Sequence, residues 1–270
     1  MEERFKAAAE MDLRLHFADY WRFAFDQRDD HTVSLIAPAS YVLDADGTRL
    51  VIDPVFRFPW MEALVADVWT HDLANVDGVL YTHRHGDHYS PSTAHTAAAS
   101  GARVYLPAFF PEAGEDSFTA IEAGRPFQIG RLRITPFTSP HFDADHITGV
   151  PEYGYLVETS RRTLLFPGDV RLYDPARLPP AASVDTVFAH VWLGRGNALR
   201  LPCEPYVADF ARFVLAHHPR RVYLAHLYEI GRTPEELWTY THAGLCADAI
   251  AAEDRGVSVA VLRYGFRYEV

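Results

Sequence analysis

The chain has 270 residues, 49% hydrophobic and 23% charged, with a net charge of −11. That is the make-up of a globular protein with a real core, and its acidity argues against broad contact with nucleic-acid phosphates, which calls for a basic surface. No apolar run approaches the ~20 residues that span a bilayer, the opening "MEERFKAAAEMDLRLHF" lacks the apolar block of a secretory leader, and the only cysteines, Cys203 and Cys246, lie far apart, so a reducing cytoplasm is expected and a disulfide framework is not.

Residues 2–12 read as a short helix, and the aromatic stretch 13–30 is ambiguous between strand and helix. Residues 1–31 are expected as an extension packed on one domain spanning 1–270. From residue 32 the pattern clears. "TVSLIAPASYVLDADGTRLVIDP" reads as strands around an Asp-Gly turn. "VDGVLYTH" is a short apolar strand. Ser90 and Pro91 then suit an N-cap and the first helical position, and Gly101 closes the helix. "ARVYLP" is a strand, "FQIGRLRITPFTSPH" a hairpin turning at Ile129–Gly130, and "YGYLVETSRRTLLFPGD" two more strands. The last third alternates: strand 185–190, helix 205–218, strand 221–226, helix 233–256, strand 257–264. Strand-rich halves carrying helices imply layered α/β packing.

The strand at 76–83 runs into "YTHRHGDHYS", residues 81–90, which crowds His83, His85, Asp87 and His88 together. In an extended segment alternate side chains share a face, so His83, His85 and Asp87 are expected to point one way. Imidazoles and carboxylates are the ligands that zinc and similar divalent metals prefer. More such residues close other strands: His141, Asp169 after a glycine, and His226. His146 competes with His141, which is favoured because it directly follows an apolar strand. Asp169, with two oxygens, can bridge two ions. In the loops, Arg195 and Asn197 are candidates for substrate contact, since a guanidinium forks onto phosphate or carboxylate. His190 and Tyr228 are candidate acids or oxyanion donors.

The ordered set of Asp53 in "LVIDP", His83-x-His85-x-Asp87-His88, His141, Asp169 in "FPGD" and His226 resembles the metallo-β-lactamase fold superfamily over about residues 32–270. The resemblance implies an α/β fold, an αββα sandwich with a dinuclear metal site at one edge. It implies that His83, His85 and His141 hold one divalent ion and Asp87, His88 and His226 the other, bridged by Asp169. Asp53 would hold a ligand in orientation, and Asp87 would also orient the nucleophile. Zinc is the first choice, with manganese or iron as alternatives. The short "LVIDPVF" opening and compact size are similar to the branch that includes ascorbate-6-phosphate lactonase. The expected activity is hydrolysis of a small ester, lactone or phosphodiester. An iron-containing redox enzyme of the same fold and a non-catalytic metal-binding member are the rivals. The partners expected are a small-molecule substrate, no nucleic acid and no membrane span; a homo-oligomer stays open.

Overall fold

A computed structural model describes residues 2–141, 149–181 and 183–270, with residues 2–9 described by backbone alone. The chain opens with α1 (Glu2–Asp26), then β1 (Thr32–Ala37), β2 (Ser40–Ala45) and β3 (Thr48–Ile52). These three strands pair antiparallel, and β2 turns into β3 through Asp46 and Gly47, both at positive φ (52° and 71°). Short helices α2 (Pro59–Leu64) and α3 (Trp69–Ala74) lead to β4 (Gly78–Leu80), α4 (Pro91–Ala99), β5 (Val104–Pro107) and β6 (Phe118–Ile121). The second half runs β7 (Phe127–Ile129), β8 (Leu132–Thr138), β9 (Tyr153–Glu158), β10 (Thr163–Phe166), β11 (Thr186–His190), α5 (Tyr206–Val214), β12 (Arg221–Ala225), α6 (Tyr240–Glu253), β13 (Ser258–Val261) and β14 (Tyr268–Glu269).

The strands form two seven-stranded sheets, ordered β14-β1-β2-β3-β4-β5-β6 and β13-β12-β11-β10-β9-β8-β7. Residues of β2, β3, β10 and β11 are almost all buried. This is expected of strands covered on both faces, and it explains why they read as continuous apolar runs rather than alternating ones. Three apolar layers follow. Leu13, Phe17 and Trp21 of α1 pack with Val42, Val51 and Val79 on the outer face of the first sheet. Leu43, Leu50, Tyr155, Phe166 and Phe188 fill the space between the sheets. Phe210 and Phe213 of α5 and Cys246 and Ile250 of α6 cover the second sheet through Val187 and Val222. The result is the αββα sandwich.

The structure moves several boundaries. The ambiguous stretch 13–30 continues the N-terminal helix as far as Asp26. The helix expected over 233–256 becomes a 3₁₀ turn at Pro234–Glu236 and then α6, which starts where the Thr239 hydroxyl and the His242 side chain cap it. Helices α2 and α3 and strands β6 and β14 were not expected. Ser90 accepts from the Thr93 N–H and Pro91 opens α4, as read from the sequence. Among the described residues no helix is long and apolar enough to cross a membrane.

Candidate metal centre

The site forms where both sheets end along one edge. β4 stops at Leu80, and the chain runs on irregularly before turning over residues 85–88. The N–H groups of His88 and Tyr89 both donate to the His85 carbonyl, each at 2.9 Å. This turn overrides the alternation expected for an extended segment. His83 and His85 stay together and meet His141, whereas Asp87 swings round to join His88, Asp169 and His226. The donor atoms within each of these two groups lie within 4.8 Å of one another. The groups adjoin at Asp169: its Oδ2 is 4.0 Å from His83 Nε2 and 3.4 Å from His88 Nε2, and its Oδ1 is 3.6 Å from His226 Nδ1. His146 lies outside the described residues.

Unusual backbone delivers these side chains. Asp53, directly after β3, has φ 51°; Gly168, before Asp169, has 79°; His226, directly after β12, has 64°. Non-glycine residues at positive φ are uncommon, and their strain clusters at functional sites. His226 is tied to the opposite sheet by its N–H, which donates to the Pro38 carbonyl at 2.9 Å. Asp53 accepts from the Thr82 N–H at 2.7 Å and the Thr82 hydroxyl at 2.6 Å, and lies 2.7 Å from His88 Nδ1. It thus fixes both the loop and the His88 ring, and leaves His88 Nε2 turned towards Asp169.

Burial dominates the electrostatics. It pushes the pKa values of His83, His85 and His190 below the usual histidine range and His141 to about 3. For His88 burial is outweighed by Asp169 and Asp53, which raise its pKa. Burial also opposes ionisation of Asp87 and Asp169. The neighbouring His226 and His88 win, and both carboxyls stay well below the usual range. A metal is suited by the neutral imidazoles of His83, His85 and His141 beside ionised carboxylates, and at the second group it would displace the His88 proton. The nitrogens fit too: His88 Nε2 and both nitrogens of His141 are buried with no hydrogen-bond partner. Such atoms are costly unless something takes them up.

The remaining candidates are placed differently. His190 is buried behind Asp169, with Nδ1 2.6 Å from Asp169 Oδ1 and Nε2 2.6 Å from the Tyr41 hydroxyl. The Tyr228 hydroxyl accepts from the Tyr240 N–H at 3.3 Å. Asn197 donates to the Leu193 carbonyl at 2.7 Å. None of these three lines the cavity of about 320 Å³ that opens over the site; Arg195 does. The cavity wall includes Trp192, from the same loop as Arg195, and adds residues that the sequence reading missed: Arg57, Arg171, Arg232, Glu229 and Trp238. Arg57 and Arg232 both pair with Glu229, and Arg232 Nη2 also lies 3.4 Å from Asp87. Position alone offered a signal for Arg171, two residues after Asp169, and for Glu229, three after His226. Glu152, fully buried against His83 and His141, offered none.

Two sheets faced by helices, with a His/Asp cluster at one edge positioned to hold metal, define a protein of the metallo-β-lactamase fold. Residues 48–227 match the beta-lactamase superfamily domain, and the chain belongs to that family. It is 31% identical over 157 residues to a UPF0173 protein of Pyrococcus furiosus, a match covering 57% of this chain and 66% of that protein. It is 30% identical over 148 residues to a hydroxyacylglutathione hydrolase of a Methylobacterium species, covering 52% of this chain and 53% of that enzyme. These matches thus span about half to two thirds of the relatives' lengths. The metallo-β-lactamase fold protein YhfI of Bacillus subtilis superposes with a TM-score of 0.62 at 15% identity, over 88% of this chain and 98% of that one.

Proposed function

We propose that the protein is a hydrolase that cleaves a small ester, lactone or phosphodiester at a centre of two divalent metal ions. The observation that carries this reading is the pairing of two donor groups through the carboxylate of Asp169. His83, His85 and His141 would hold one ion, Asp87, His88 and His226 the other, and Asp169 both. Such ions, when bound, lower the pKa of a shared water and polarise the electrophile. Zinc is the leading choice, and the same donors suit manganese or iron. The resemblance to a hydroxyacylglutathione hydrolase adds thioesters to the substrates worth testing.

The chain's own residues supply the rest. Asp87, buried and ionised, can accept a proton-bearing group brought beside it. His190 holds Asp169 from behind. Arg195 and Arg171, on the cavity wall, would meet a carboxylate or phosphate on the substrate, and Trp192 and Trp238 its apolar part. Asn197 serves through the Arg195 loop, which it braces at Leu193. Tyr228 is a weaker candidate, since its hydroxyl faces the Tyr240 backbone.

The deciding experiment purifies the protein without added metal, measures its metal content, and assays lactone, ester, thioester and phosphodiester panels on the same samples. Two equivalents of zinc or manganese with turnover on one panel is expected. Bound iron without hydrolysis would favour redox chemistry, and two bound equivalents inert on every panel would favour a non-catalytic protein.

A further inference from the structure

Glu152 is the last residue before β9, and its side chain is fully buried. A buried carboxylate is costly unless it finds partners. Its Oε1 lies 2.9 Å from His83 Nδ1. Both oxygens accept from the Asp169 N–H, at 3.0 and 3.1 Å. Oε2 lies 3.7 Å from His141 Nδ1. Its backbone carbonyl accepts from the Ser139 N–H at 3.0 Å, at the foot of the segment that carries His141. Room for the carboxylate comes from Gly168. A Cβ there would stand 2.5 to 2.8 Å from the Glu152 carboxyl atoms, and the glycine's φ of 79° disfavours any side chain.

Glu152 faces both rings from the Nδ1 side, at hydrogen-bond distance from His83 and through charge alone at His141. A ring whose Nδ1–H is held by a carboxylate presents Nε2 as a lone pair. Thr82 Oγ1 is also 3.0 Å from His83 Nδ1, but its own proton goes to Asp53, so it too accepts from the ring. His83 Nε2 is the atom facing His85, at 3.1 Å, and Asp169. One carboxylate therefore contacts the His83 ring, faces the His141 ring and holds the main chain of the residue shared with the other group.

We propose that Glu152 is a positioning residue that sets the tautomer and direction of His83, draws His141 to the same group by its charge, and locks the Asp169 turn to them. The proposal rests on the metal-centre reading above. Glu152 itself touches neither substrate nor ion.

The test titrates cobalt(II) into the metal-free full-length protein and follows affinity and visible absorption. In Glu152→Gln the amide keeps the volume but aims an N–H at donors. One equivalent should bind about 10–100-fold more weakly, the range seen when groups orienting metal ligands are removed. Its spectrum should change as it does in His85→Ala, which damages the same group, while thermal unfolding of the metal-free variant stays near the parent's. Glu152→Asp should recover part of the affinity. Parental affinity and spectrum in Glu152→Gln would overturn the proposal, as would Glu152→Asp binding no better than Glu152→Gln. Should Glu152→Gln fail to fold, Glu152→Asp decides alone: weakened binding of one equivalent supports the role, and parental binding overturns it. A parent that takes up fewer than two equivalents would instead refute the two-ion reading and leave the comparison of variants intact.

Discussion

Asp53 shows how much one residue carries here. It sits at positive φ, and its carboxylate receives two donors from Thr82 and faces the His88 ring. Asp53→Ala strands those buried groups, each at about 1–3 kcal/mol. Urea unfolding of the metal-free protein should show a loss of about 3 kcal/mol or more; a loss under about 1 kcal/mol would mean that the loop re-pairs without it. Asp169→Asn removes a charge from both donor groups, so metal affinity and turnover should fall together, by at least the ~10–100-fold of an orienting residue. Full metal content and full turnover in that variant would refute the shared role. The donor residues were legible because each stands beside a strand end in a recognisable order. Glu152 was not. Its partners are ring nitrogens and a backbone N–H distant in sequence, and nothing in "VPEYGYLV" announces them. His190 was legible as a strand-end histidine, but whether it faced the cavity or the back of Asp169 depended on packing against Tyr41.

Among the elements, α1 is the one that sequence reading left divided. Tyr20, Trp21, Phe23 and Phe25 favour strands by propensity. Yet Leu13, Phe17, Trp21 and Ala24, spaced at four, four and three, are the buried positions, which is a helical stripe. Tertiary packing decided the outcome, and Trp21 Nε1 donates to Asp72 at 2.7 Å to anchor it. Phe17→Ala should cost about 3–5 kcal/mol in urea unfolding, whereas Leu15→Ala, at a position 68% exposed, should fall within about 0.5 kcal/mol. Similar losses at both positions would mean that the helix does not pack as described. Strands 32–52 were legible from their turn and apolar runs. β6 was not, because only its two end residues are buried. Helices α2 and α3 are six residues each, too short for periodicity to register.

For the molecule as a whole, acid stability follows from the buried histidines. His83, His85, His141 and His190 have depressed pKa values in the fold. Below the unfolded value of ~6.5 the unfolded chain takes up protons that the fold refuses, so stability falls with pH. His88 and the exposed His95, both raised, work the other way but are outnumbered. The urea midpoint of the metal-free protein should therefore drop from pH 7 to pH 4.5, and bound metal should oppose the drop, since it stabilises the fold that holds it. A flat or rising midpoint towards acid would contradict the burial of these rings. The layered architecture was legible because strand-rich halves carrying helices leave few ways to cover two sheets; the meeting of their edges was not, since no local pattern encodes it. That meeting makes the centre a clasp. Each donor group draws on both halves: His83 and His85 with His141, Asp87 and His88 with Asp169 and His226. A chain severed between β6 and β7 would become a split protein, each piece holding only a fraction of either group. The two pieces, expressed together, should travel as one on a sizing column, and a chelator should loosen a partnership that a metal salt restores.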